Sequence, residues 1–217
     1  MAGELGGVKM VENYSEMSDI QLDALKEIGN IGAGNAATAL AQMVKAKIDM
    51  TVPKVKILPF TEVPDLIGGP DLHVVGIYFN VQGQAPSNIL FVLDVEKACL
   101  LIDMLLGRII GETKVETLDE MEMSAMMELG NILSATYLNS LAMFTNLKFI
   151  PSVPALGIDM AGAVLDAILA QFGEVADHVL VLETEFTKDE HDVVGHFFLL
   201  PEPGSLDTIL TALGVNF

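Results

Sequence analysis

One stretch of this chain is written twice. EIGNI at 27–31 returns as ELGNI at 128–132, and the spacing of 101 holds beyond the motif, carrying Lys47 onto Lys148 and Val52-Pro53 onto Val153-Pro154. A repeat of that length constrains the architecture before any element is read, because each copy must supply the same supersecondary unit. Further along, Gly107 closing CLLIDMLLG matches Gly214 closing LDTILTALG, so the second copy holds about six additional residues.

Each copy reads as a long helix, a strand, a hairpin-like strand pair and a short helix. In the first these fall near 18–46, 48–58, 72–82, 88–94 and 95–106, and in the second near 118–145, 147–153, 178–187, 193–200 and 204–213. Runs such as HVVGIYF and HVLVLETEF mark strands, and the 3.6-residue spacing of Leu, Met and Ala marks helices. The expected fold class is α/β (α+β): a pseudo-two-fold domain with two long helices packed on a β-sheet built from two αβββα-type repeats. Ile158 to Phe172 reads as an extra amphipathic helix of the second copy, with Asp159 and Asp166 interrupting an apolar face that core packing would also explain. Residues 1–17 read as a flexible N-terminal extension, and 18–217 as a single domain of two repeats, 18–107 and 118–214. The polar stretch 108–117 is too short to tether independent units.

Composition then removes whole classes of function. Thirty acidic side chains against eleven basic ones give a net charge of -19, which disfavours nucleic-acid backbones and repels anionic membranes. A single cysteine, Cys99, excludes an internal disulfide and any multi-thiolate metal site. The N-terminus lacks a cationic region leading into an apolar one, so the expected location is the cytoplasm. The least charged long stretch, Leu72 to Leu93, is broken by Asn80, Gln82, Gln84, Pro86, Ser87 and Asn88, and no membrane-spanning helix is expected there.

The chemistry lies on the repeated helix. With Asp23 at zero and 100° per residue, Glu27 falls at about 40°, Asn30 at about −20° and Gly34 at about 20°, one narrow stripe. Leu25, Ile28, Gly32 and Ala36 fall on the opposite side, so the stripe faces outward. Ser124, Glu128, Asn131 and Ala135 repeat it on the second long helix. Glycine costs roughly 1 kcal/mol relative to alanine inside a helix, so Gly29, Gly32 and Gly34 need a compensating contact. Close helix packing would serve for Gly29 and Gly32; the outward position of Gly34 favours close approach of a partner.

Several familiar chemistries fail on these residues. Gly32 to Ala37 fits G-x-G-x-x-A letter for letter, but DALKEIGN before it is already helical, so those N–H groups are not free for phosphate. Glu27 with Asn30, and Glu128 with Asn131, lack the second carboxylate of glycosidase chemistry. His178, His191 and His196 read as strand-end and loop residues rather than metal ligands, and His73 and Cys99 as core or rim. An amide one turn from a carboxylate suits the placing of water against an electrophile such as an acyl phosphate. The amide is uncharged, so it can approach an anionic phosphoryl group, while the carboxylate pairs with a partner's cation.

The pattern D-x-x-x-E-x-x-N-x-x-x-G at 23–34, with S-x-x-x-E-x-x-N at 124–131, resembles the CheC family of chemotaxis phosphatases, relatives of CheX and of the flagellar switch protein FliY. The likeness continues through NAATAL, the Val-Pro pairs and IDM at 158–160, and covers the chain from about residue 17. Family members dephosphorylate the phospho-aspartate of the response regulator CheY. The resemblance implies that Asn30 and Asn131 orient the attacking water, that Glu27 and Glu128 hold the regulator's lysine, and that Mg2+ belongs to the regulator. The chain is then expected to need no metal or cofactor of its own.

Asp23, Gly34, Ser124 and Ala135 would border the regulator. Two intact Glu/Asn pairs speak for CheC over CheX, and the lack of a further C-terminal domain speaks against FliY. Ala135 stands where the first copy has Gly34, so the first site is expected to be the less obstructed. The resemblance also implies binding of CheD, the receptor deamidase, through the extra helix from Asp159 to Phe172, with phosphatase output raised. The chain is expected as a monomer or as a heterodimer with CheD. The alternative is a non-catalytic module of the flagellar-switch type that binds phosphorylated CheY. A small-molecule hydrolase lacks a nucleophile with its base.

Overall fold

The computed structural model describes residues 19–114, 118–172, 178–188 and 190–214; the expected extension at 1–17 lies outside them. Helix α1 (Asp19–Val44) and helix α4 (Glu120–Thr145) have 26 residues each. A capping box opens α4: the Asp119 carboxylate accepts the Glu122 N–H and the Glu122 carboxylate accepts the Asp119 N–H, both at 2.8 Å. The chain leaves the two helices through Lys45 and Asn146 in the left-handed conformation, at φ 54° and 57°.

The first copy continues with β1 (Asp49–Pro59), a 3-10 turn (Phe60–Glu62), α2 (Val63–Leu66), β2 (His73–Gly83), β3 (Ser87–Asp94) and α3 (Val95–Leu106). The second continues with β4 (Phe149–Pro151), β5 (Ala155–Met160), α5 (Ala161–Phe172), β6 (His178–Lys188), β7 (His191–Pro201) and α6 (Ser205–Ala212). The seven strands form one antiparallel sheet in the order β1-β6-β7-β3-β2-β4, with β5 also paired to β2. Each copy therefore lends its first strand to the other copy's hairpin. Equivalent residues keep equivalent registers: Ile57 lies opposite Leu180, and Ile158 opposite Val75.

Alternation along the strands divides the core in two. Phe79, Phe91 and Phe186 face α1, α3, α4 and α6 on one side of the sheet. On the other side Leu90, Val92 and Phe198 face α2 and α5, the latter through Ala161, Leu165 and Ile168. The turn between the copies is held by the fully buried Asp103 carboxylate, which accepts the N–H groups of Gly111, Glu112 and Thr113 at 2.7, 3.1 and 3.0 Å. Arg108 reaches from that turn to Glu122 and Thr113.

The structure corrects the reading of 147–172. The expected strand at 147–153 is split, its second part runs to Met160, and the helix starts only at Ala161. Asp159 is thus a strand residue, paired with Val74, and its carboxylate accepts the Met160 N–H at 2.7 Å. Pairing with β2 outweighs the helical spacing of the apolar side chains up to the point where the Ala161 N–H reaches the Leu72 carbonyl. Nor is α5 wholly an addition, because α2 is a 4-residue counterpart of its 12 residues. Among the described residues no helix is long and apolar enough to cross a membrane, and Leu72 to Leu93 form the β2–β3 hairpin.

Candidate functional site

Both stripes lie on the outer side of the long helices. Leu25, Ile28 and Ala36 are buried beneath α1, while Asp23, Glu27 and Gly34 are exposed. On α4, Leu129 and Leu133 are buried while Ser124, Glu128, Asn131 and Ala135 are exposed. Of the eight stripe residues that the helical wheel turns outward, seven are exposed; Asn30 is the exception and is partly buried.

The glycines divide as their positions suggest. A Cβ on Gly32 would stand 2.5 Å from the Tyr137 ring of α4, and one on Gly29 would stand 2.9 Å from Leu182 and 3.3 Å from Val52. These two let α1 settle on α4 and on the sheet. A Cβ on Gly34 would meet nothing within 4 Å, so nothing within the chain requires glycine there.

The two asparagines differ in what holds them. Asn30 Oδ1 accepts the Val52 N–H at 2.9 Å, which ties the first amide to strand β1. Asn131 Nδ2 donates at 3.4 Å to Glu128, one turn away, a long contact between two exposed groups. Asn30 is therefore the more enclosed amide, a difference that Gly34 and Ala135, both exposed, do not produce. The Val52 N–H is the site group that residue types do not reveal, since every non-proline residue carries one. The doubled Val-Pro was the available signal.

Among the described residues no other set of side chains competes. His191 is exposed, His178 and His196 are partly buried, and the three are spread along β6 and β7. Burial lowers the His196 pKa, and its ring stacks 6.1 Å from Phe198. Among the described residues no cluster of three or more His, Cys, Asp or Glu side chains is placed to hold a metal ion. Gly32 to Ala37 lie well inside α1, which leaves their N–H groups to the helix.

Comparison with known proteins gives this geometry its context. The chain is 37% identical over 207 residues to the CheY-P phosphatase CheC of Bacillus subtilis (strain 168), a match covering 94% of this chain and 98% of that one. The chain belongs to the CheC family. The profile of the CheC-like family matches residues 20–57 and 121–158, so each matched segment contains one Glu/Asn pair and the strand that follows it. Among solved structures, FliY of Thermotoga maritima has a TM-score of 0.71 at 24% identity, covering 92% of this chain and 98% of that one. The FliM middle domain of H. pylori has a TM-score of 0.66 at 14% identity, covering 90% and 99%. At these identities the two structures establish the fold, which is that of this CheC-family chain, and nothing about chemistry.

Proposed function

We propose that this chain is a phosphatase of the chemotaxis response regulator CheY, and that it acts by posing water for in-line attack on the regulator's aspartyl phosphate. The observation that carries the reading is identity of 37% across nearly the whole of a CheY-P phosphatase, joined to two Glu/Asn pairs on the long helices, of which only Asn30 is partly buried. Hydrolysis of an acyl phosphate asks little covalent chemistry of a protein, and most of the gain comes from orienting the nucleophile and compensating charge. Asn30 and Asn131 would orient the water; Glu27 and Glu128 would pair with the regulator's lysine and set the register. Charge on the phosphoryl group would be compensated by the Mg2+ expected in the regulator. The test is loss of label from phosphorylated CheY with the purified chain added. Acceleration above the regulator's own rate is expected, and its absence overturns the reading.

For the finer expectation, stimulation by CheD, we infer a docking place on the other side of the sheet. Asp159 pairs with Val74, whose side chain lies in the core under α2 and α5, so Asp159 faces the α5 side and not the site helices. There it borders a crevice of about 280 Å³ lined also by Tyr78, Gly157, Val164 and Ile168. A partner seated there would leave both Glu/Asn stripes open, which suits a cytoplasmic activator acting on a monomer or forming a heterodimer with it. An Asp159→Lys chain is expected to lose capture of CheD in a pull-down while keeping its basal phosphatase rate; undiminished capture counts against the assignment.

A further inference from the structure

The two copies hold their asparagines differently, and the cause lies in the sheet. In the first copy the register passes from Thr51 opposite Glu185 to Lys54 opposite Glu183, so Val52 and Pro53 together face Thr184. In the second it passes from Pro151 opposite Val81 to Ala155 opposite Tyr78; the Ser152 N–H donates to the Asn80 carbonyl at 2.7 Å, which leaves Val153 and Pro154 against Phe79. Thr184 and Phe79 are equivalent positions of β6 and β2, and both are buried on the side of the long helices. One is small and the other large.

Beside Thr184 there is room beneath α1 for Val52, which is fully buried with Cγ1 3.3 Å from where a Gly29 Cβ would stand. Beneath α4 the Phe79 ring comes to 3.2 and 3.3 Å of where a Gly130 Cβ would stand. The space that Val52 fills in one copy is filled by Phe79 in the other. Val153 is left outside, 85% exposed where Val52 is 0%. Only the inserted valine presents its N–H to the site helix: Val52 donates to Asn30 at 2.9 Å, and among the described residues Asn131 Oδ1 receives no backbone donor.

We propose that Thr184 and Phe79 are positioning residues: Thr184 permits a latch on the first site, Phe79 prevents one on the second, and the second site carries most of the turnover. This rests on the reading of the Glu/Asn pairs as phosphatase sites. The latched amide turns its oxygen toward the sheet, so Asn30 must release Val52 to extend into a regulator. Release strands a buried donor and reduces the extended population by about tenfold. Asn131 has no such donor to abandon.

The full-length chain tests this directly. In amide hydrogen exchange the Val52 N–H is expected to be protected and the Val153 N–H to exchange freely; equal protection overturns the latch. In turnover of phosphorylated CheY, Asn131→Ala is expected to cost at least about fivefold more than Asn30→Ala, and the reverse order or equality overturns the proposal. Thr184→Phe with Tyr137→Ala, made in an Asn131→Ala chain, copies the second site's packing into the first. It is expected to speed exchange at Val52 and raise turnover about fivefold, a gain that a structural defect does not produce. Faster exchange without that gain overturns the link to turnover. Should that chain misfold, Phe79→Thr in an Asn30→Ala chain makes the converse test: slower exchange at Val153 with reduced turnover supports the proposal, and unchanged values overturn it. Turnover surviving in the Asn30→Ala, Asn131→Ala chain would instead sink the reading of the pairs as phosphatase sites.

Discussion

A chain carrying both Asn30→Ala and Asn131→Ala is expected to fold normally and to accelerate loss of acyl phosphate from CheY at least about 100-fold less than the unaltered protein. The size follows from the division of labour proposed above. If the protein contributes chiefly the direction of approach of a water molecule, removing both amides removes that contribution, because misplacement of a nucleophile by an ångström alone costs about 100-fold. Binding should survive, since Glu27 and Glu128 remain exposed on the same faces. The loss should therefore fall on kcat, with KM changed little. Stability offers an internal control. Asn30→Ala deletes the acceptor of the buried Val52 N–H and should cost about 1–3 kcal/mol, whereas Asn131 is exposed and its loss should stay within about 0.5 kcal/mol. Labelled-regulator assays and thermal melts on the two single variants and the double variant check both statements. A double variant with undiminished turnover would leave the amides without a role.

The second large effect is structural. Gly83→Ala should destabilise the fold by about 3 kcal/mol or more, lowering the melting temperature by roughly 6–12 °C for a chain of this size. Gly83 ends β2 at φ 138°, and a Cβ there would stand 2.0 Å from the carbonyl oxygen of Lys148. No rotamer change relieves that overlap, because the obstacle is backbone. The carbonyl itself is fixed: it accepts the Gln84 N–H at 3.1 Å, and the Gln84 side chain accepts the Lys148 N–H at 2.9 Å. Gly34→Ala is the matched control, since its added methyl meets nothing within 4 Å and a helix interior favours alanine by about 1 kcal/mol. A Gly83→Ala melt equal to the wild type would show that β4 can move away from β2 freely.

Much of this organisation was legible because it is periodic. The spacing of Leu25, Ile28, Leu129 and Leu133 placed the core side of the two site helices, and hence the outward side carrying Glu27 and Glu128. The His178 to Lys188 strand was equally plain from its β-branched and aromatic run. What escaped were features that depend on contacts remote in sequence. Ile158 to Met160 belong by local spacing to the following helix, but β2 recruits them into the sheet, and nothing within ten residues announces that partner. The short α2 is held by burial of Val63 against the second core and has too few residues for a periodic signal. The enclosure of Asn30 depends on whether a strand from the same copy tucks beneath its helix, which is decided by Thr184 on a strand of the other copy. Residue types at 27–34 hold no information about that choice.

The exchange of first strands between the copies has a consequence for what counts as the smallest foldable unit. A solitary repeat would present β1 with no β6 beside it, β3 with no β7, and the outer edge of β2 bare, three open seams of unpaired backbone on a half-sized core. Two such pieces would close each other's seams by trading arms, like a pair of clasped hands. In the tandem chain the clasp is already covalent, so neither grip can loosen without the other hand losing its hold. The two candidate faces, though written separately in the primary structure, are therefore expected to melt or persist together.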